Sequence, residues 1–165
     1  MKTFALRIRA LESTDVERVL EICRLAFTPI FEGFRQNVGA EIFDRFYSES
    51  ADRQIDDLRS ACETAGDETV FVAEWDGVVA GFVTLSMDPN EIIGEVGLNA
   101  VHPDYGCRGI GRGLVEFALA RMKERGIVAA KVATGGDRSH APARRIYEKA
   151  GFESAIPSVT MFKLL

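Results

Sequence analysis

At 165 residues, 47% apolar and 27% charged, the chain is sized for one domain, residues 1–165, with its own core, and leaves no room for a second. A net charge of −5 carries no footprint for nucleic acid or an anionic membrane, and apolar runs such as Val78 to Val83 fall far short of the roughly 18 residues of a spanning helix. The start Met1-Lys2-Thr3-Phe4 shows no signal-peptide hydrophobic region, and the scattered Cys23, Cys62 and Cys107 give neither a disulfide framework nor metal-ligand spacing, so a soluble cytoplasmic protein without a metal is expected.

Leu6-Arg7-Ile8-Arg9 alternates with period two and reads as a strand. Ser13-Thr14-Asp15 offers caps for a helix whose apolar face (Val16, Val19, Leu20, Cys23, Ala26, Phe27) ends at Thr28-Pro29, where proline stops or bends it. The stretch to Ala65 holds one or two further helices. From Thr28 to Glu68 ten carboxylates face four arginines, a balance of −6. Phe31, Phe34, Phe43 and Phe46 in this stretch suit either core or a homodimer interface.

Thr69 to Trp75 and Val78 to Leu85 form a hairpin about Asp76-Gly77, a pair that tolerates the positive φ of a tight turn. Asp88-Pro89-Asn90 turns the chain into a fourth strand, from about Glu91 to His102, which Pro103-Asp104-Tyr105-Gly106 ends. Gly109 to Arg125 carries a broad apolar stripe (Leu114, Val115, Ala118, Leu119, Met122) and reads as a helix that Gly126 caps. Ile127 to Thr134, almost wholly apolar, reads as a strand covered on both faces, which makes a parallel strand-helix-strand crossover. Ser139 caps a last helix with Pro142 in its first turn and Ala143, Ile146, Tyr147 and Ala150 on one face, ended by Gly151. Ser158 to Leu165 returns as a strand.

The turn Gly106-Cys107-Arg108-Gly109-Ile110-Gly111 sits between a strand and a helix. Glycine there frees backbone N–H groups for close approach, and the helix dipole adds partial positive charge, so the turn suits a phosphate. A tight turn without ligand is the competing reading. So is a dinucleotide-binding Rossmann oxidoreductase on Gly109-x-Gly111-x-Gly113, with Asp137 as ribose ligand, although the third glycine comes too early for that fingerprint.

The segment from about Phe71 to Phe152 resembles the GNAT superfamily of N-acetyltransferases. The family's L-x-V-x-P strand and Q/R-x-x-G-x-G/A turn correspond to Asn99-Ala100-Val101-His102-Pro103 and Gly106-Cys107-Arg108-Gly109-Ile110-Gly111, with glycine at the position of the usual Gln or Arg. Its Tyr-x-x-x-Gly-Phe signature corresponds to Tyr147 through Phe152, and His140 stands where the family often has Asn. The resemblance implies a mixed α/β fold of the α+β kind: a mostly antiparallel sheet of about six to seven strands with helices on both faces. It implies acetyl-CoA as co-substrate, held by Asn99, Ala100, Val101, the turn from Gly106 to Gly111, Arg112, His140 and Ala143. The acceptor it implies is a small-molecule or peptide amine.

Acetyl transfer needs a base for the amine, whose free pKa is near 10.4, and an acid for the departing thiolate. By the resemblance Tyr147 supplies the acid and Glu95, six residues before Val101, the base, with Glu74 or a water chain as alternatives. A backbone N–H near Ala100 or Val101 would polarise the thioester carbonyl. A non-catalytic acyl-CoA-binding module with the same pocket is the remaining alternative.

Overall fold

The structure, a computed structural model, describes residues 5–64, 69–88, 90–153 and 155–165. The start Met1 to Phe4, the carboxylates Asp67 and Glu68, and Pro89 of the second turn lie outside the described residues. Five strands make one sheet in the order β1 (Leu6–Ala10), β2 (Val70–Trp75), β3 (Val78–Ser86), β4 (Ile93–Val101) and β5 (Ala129–Val132). The first four are antiparallel neighbours, and β5 runs parallel to β4. A single parallel pair agrees with the expected crossover and is not the doubly wound sheet that a Rossmann oxidoreductase needs.

Period-two alternation divides the sheet residues between two cores. Val70, Val72 and Phe82 pack with Val19, Leu20 and Ile22 of helix α1 (Val16–Val38) and with Ile55 and Leu58 of α3 (Ser50–Thr64). Phe71, Ala73 and Val83 face the other way, onto Ile110, Leu114, Ala118 and Met122 of α4 (Ile110–Glu124). Helices therefore cover both faces, as expected. The hairpin between β2 and β3 turns at Asp76 (φ 53) and Gly77 (φ 81), the mirror-image turn that matches strand twist.

One buried ion pair ties the first strand to this frame. Arg9 donates to both oxygens of Asp15, at 2.6 and 3.1 Å, and its Nε donates to Glu74 at 2.8 Å. Asp15 also accepts the Glu12 N–H at 2.9 Å. Burial by itself would raise the Asp15 carboxyl, but the bonds from Arg9 and Glu12 outweigh it and hold the group below the ordinary carboxylate range.

Four expectations need correction. Helix α1 does not end near Phe27: it passes Pro29 and continues to Val38, followed by α2 (Ala40–Phe46). Proline removes the N–H that would reach Leu25, but the Thr28 hydroxyl donates to the Arg24 carbonyl at 2.8 Å, and Phe34 packs edge-on against Phe43 and Tyr47 beyond it. β5, the edge strand of the described sheet, is covered on one face only. Ala130 and Val132 turn toward the α4 core while Ala129 and Lys131 are exposed. Residues 155–165 form no strand, so the described sheet has five strands rather than six or seven. Pro157 cannot donate to a ladder, and Phe162 leans on Tyr47 at 5.8 Å instead of reaching β5. Finally, Ser139 does not cap α5 (Ala141–Lys149). His140 precedes that helix, and the Ser139 N–H and hydroxyl bond Asp137 instead.

Candidate active site

The site opens where β4 and β5 part. Their pairing runs only from Ile93↔Ala129 to Val96↔Val132. Just beyond, Gly97 and Leu98 together oppose Thr84 of β3, a β-bulge in which the Leu98 N–H donates to Thr84 Oγ1 at 2.8 Å. The bulge bends β4 away from β5, so the interruption expected near Ala100 and Val101 already begins at Gly97. Between the strands lies a cavity of about 400 Å³, lined by residues 97–101 of β4, Phe27 and Ile30 of α1, Gly111 of α4, and a face of α5 from His140 to Tyr147.

At one end of β4 the chain makes a short turn, Pro103–Tyr105, in which His102 Nδ1 accepts the Asp104 N–H at 3.2 Å. The exposed loop from Gly106 to Gly109 then climbs into α4 through left-handed Cys107 (φ 60) and Gly109 (φ 79). Gly113 is the first residue to close a helical bond, onto Gly109 at 2.9 Å. The N–H groups of Ile110, Gly111 and Arg112 thus belong to the first turn, which has no acceptor within its own helix. Cationic side chains of the turn are held elsewhere. The Arg108 guanidinium lies over the rings of Tyr105 and Trp75, 5.2 and 5.7 Å from their centroids, and Arg112 pairs with Glu116 at 2.7 Å. Asn99 Nδ2 donates to the Gly111 carbonyl at 3.2 Å and fastens the open edge of β4 to the helix, while its Oδ1 is buried without a partner among the described residues.

Gly111 comes so close to α5 that a Cβ there would stand 3.1 Å from Ile146. This contact seats α5 against the phosphate-type turn and brings Tyr147 into the cavity. Tyr147 is buried, its ring edge-on to Phe152 at 5.9 Å, and burial pushes its phenol above the ordinary value, so it stays protonated at neutral pH. His140 and Ala143 share the same wall.

The expected bases lie elsewhere. Gly94 and Val96 face Met122 of α4, so alternation puts Glu95 on the opposite face, where its carboxylate pairs with Lys131 at 3.1 Å. It is not part of the cavity wall. Glu74 is engaged by Arg9 at 2.8 Å and Arg7 at 3.7 Å, at the β1–β2 end of the sheet.

Two features escaped the sequence reading. Ile30 extends the α1 wall beyond Phe27, which a helix ending near Phe27 could not supply. Asp137 faces His140, with Oδ2 at 2.6 Å from Nδ1, and also accepts the Ser139 N–H at 2.8 Å. The only trace of this pair in the sequence is a D-x-x-H spacing ahead of Pro142. Burial would raise the Asp137 carboxyl, but the bonds from Ser139 and His140 bring it down to about 2. With both oxygens engaged locally, Asp137 is not free for the ribose role considered above. A second cavity, about 430 Å³, lies between α1, α2 and α3 with Phe27, Phe31 and Phe43 in its wall and Glu32 and Asp52 beside it.

A family model described as "Acetyltransferase (GNAT) family" matches residues 37–152. A mycothiol acetyltransferase of Thermomonospora curvata is 37% identical over 83 residues, 50% of this chain and 27% of that protein. The matched part thus spans about a quarter of that relative's length. Among solved structures, the PaiA N-acetyltransferase of Thermoplasma acidophilum in complex with coenzyme A superposes with a TM-score of 0.66 at 20% identity, covering 93% of each chain. The ribosomal-protein-S18-alanine N-acetyltransferase of Escherichia coli gives 0.64 at 21% identity, covering 92% of this chain and 80% of that one.

Proposed function

Because the chain belongs to the acetyltransferase (GNAT) family, we propose that it transfers an acetyl group from acetyl-CoA to a primary amine by direct attack while both are bound. The observation that carries this reading is one continuous path: first-turn N–H groups of α4, the unpaired edge of β4 from Gly97 to Val101, and buried Tyr147. When bound, acetyl-CoA supplies the activated acetyl group. The residues fit it. The loop from Gly106 through Cys107, Arg108, Gly109 and Ile110 to Gly111 and Arg112 offers its amides to the pyrophosphate, where the helix dipole favours an anion.

Asn99, Ala100 and Val101 present backbone groups to the pantetheine amides, with His140 and Ala143 on the facing wall. A backbone N–H near Ala100 or Val101, on the stretch of β4 that β5 leaves unpaired, polarises the thioester carbonyl. Tyr147 gives its proton to the departing thiolate. In the base role that the resemblance assigns to it, Glu95 must act through water, because Lys131 holds its carboxylate outside the cavity. The enzyme acts in the cytoplasm on a small-molecule or peptide amine.

A cationic acceptor suits the acidic helices. Arg35, Arg45, Arg53 and Arg59 are each paired with a carboxylate, whereas Glu32 and Asp52 form no ion pair among the described residues and flank the second cavity. Their field raises the local concentration of a cation. The test is release of free CoA over a panel of polyamines, amino sugars and peptide amines, with acetyl-CoA binding followed by calorimetry. Binding with turnover on at least one amine is expected. Failure to bind acetyl-CoA would overturn the proposal, and acceptor KM insensitive to salt and to Glu32→Lys with Asp52→Lys would overturn the steering.

A further inference from the structure

Partway along β4 the residues that face α4 change parity. Gly94 and Val96 lie against α4 before the bulge and Val101 does so after it, while Leu98 and Ala100 belong to the α1 core. Unbroken alternation would have put Leu98 and Ala100 on the α4 side, so the extra residue at the bulge resets the faces. Gly97 is required for this, because a Cβ on it would collide with the Thr84 hydroxyl that accepts the Leu98 N–H.

The reset turns the Asn99 side chain toward α4 rather than α1. Its Nδ2 donates to the Gly111 carbonyl at 3.2 Å, and its Oδ1 is buried with no hydrogen-bond partner among the described residues. An amide oxygen buried unpaired costs stability, and an apolar side chain of similar shape would avoid that cost. The fold alone therefore gives no reason for an amide here.

Gly111, the acceptor, is where three elements meet. It stands in the first turn of α4, and a Cβ on it would be 3.1 Å from Ile146 of α5 and 3.4 Å from Val101 of β4. Asn99 and Gly111 both line the cavity. Resting on the acetyltransferase reading, we propose that the Asn99 side chain is a positioning residue. Through Gly111 it fixes the first turn of α4, which takes the pyrophosphate, against Ala100 and Val101, where the thioester carbonyl is polarised.

These two seats hold the two ends of one molecule, joined by an arm of fixed covalent length. With the pyrophosphate seated, the place of the acyl carbon depends on where α4 stands relative to β4. Ladder pairing to β5 cannot set that relation, because it stops at Val96. The Asn99 bond spans the gap. Its loss leaves each seat its own contacts but lets the two shift against each other, and a misplacement of about 1 Å at the reacting carbon costs about 100-fold in rate.

The experiment compares wild type with Asn99→Leu in three measurements. These are kcat for CoA release with the fastest amine of the panel, acetyl-CoA Kd by titration calorimetry, and Tm by scanning calorimetry. The expected result is a fall in kcat of roughly 10- to 100-fold, acetyl-CoA Kd within about fivefold, and Tm no more than about 2 °C below wild type or above it. A merely structural amide predicts the reverse, a lower Tm with kcat unchanged, and that result would overturn the assignment. So would a rise in Kd that accounts for the whole loss, which would make Asn99 a binding contact, or no change in any of the three. Should Asn99→Leu fail to fold by circular dichroism, kcat and Kd are read from Asn99→Ser, whose side chain is too short to reach Gly111. Wild type that binds acetyl-CoA but releases no CoA with any amine would overturn the transfer reading itself, and this inference with it.

Discussion

Gly109→Ala separates the backbone's role in holding the co-substrate from its role in the fold. Gly109 has φ 79 and ψ 1, and no atom lies within 4 Å of the position a Cβ would take. The folding cost is therefore that of one left-handed alanine, about 1–2 kcal/mol, or roughly 2–8 °C in Tm for a chain of this size. The same open space stands over the first turn of α4, where the pyrophosphate is proposed to rest. A methyl group there pushes a phosphate off at least one N–H. A hydrogen bond to a charged acceptor contributes about 1.5–3 kcal/mol, so acetyl-CoA Kd should rise roughly 10- to 150-fold. Titration and scanning calorimetry on the same samples separate the two effects. Arg108→Ala is the contrast, because that guanidinium is stacked on Tyr105 and Trp75 and should cost less than about fivefold, in keeping with an exposed charge worth at most about 1 kcal/mol. If Gly109→Ala bound within twofold of wild type, or Arg108→Ala lost more than Gly109→Ala, recognition by backbone amides would be refuted.

Tyr147→Phe should lower kcat by about 100-fold or more while acetyl-CoA Kd shifts little, and an unchanged kcat in the CoA-release assay would remove the tyrosine from the acid role. Asp15→Asn should cost about 2–4 kcal/mol at neutral pH in urea melts, because Arg9 keeps Glu74 but loses its forked partner. The Asp15 pKa is depressed in the folded state, so this contribution is fully present above the unfolded value near 3.9 and is lost as pH falls through the lower folded one. A gap between wild type and Asp15→Asn that persisted undiminished below pH 2.5 would contradict this. Pro29→Ala restores the missing helical donor and should raise Tm, since proline inside a helix costs up to about 3 kcal/mol relative to alanine. A fall in Tm would mean that the packing of α1 depends on the proline.

What the sequence made legible was local. The Asp76-Gly77 hairpin, the left-handed Gly109 ahead of α4, and the helix ends at Gly126 and Gly151 depend on backbone conformations that few residues adopt, so a few letters suffice to mark them. The face of α5 that carries Tyr147 followed from helical spacing in the same way. Hidden features depend on register between distant segments. Lys131 meets Glu95 only because β5 runs parallel to β4 in one particular alignment, and that alignment keeps the expected base out of the cavity. The Asp137–His140 pair is close in sequence, yet three residues of spacing do not reveal a carboxylate on Nδ1 until Arg144 and Ser139 fix the loop.

The misjudged proline matters beyond the fold. A helix ending near Phe27 would leave the cavity without Ile30 and without the contact between Gly33 and Ser139, and the splayed strands would form an open cleft. Because α1 continues past Pro29, its second half closes that side of the cavity, opposite the wall that carries buried Tyr147. Under the proposed steering the acceptor would approach along the second half of α1, beside Glu32, so the segment that the sequence reads as a break becomes part of the cavity wall.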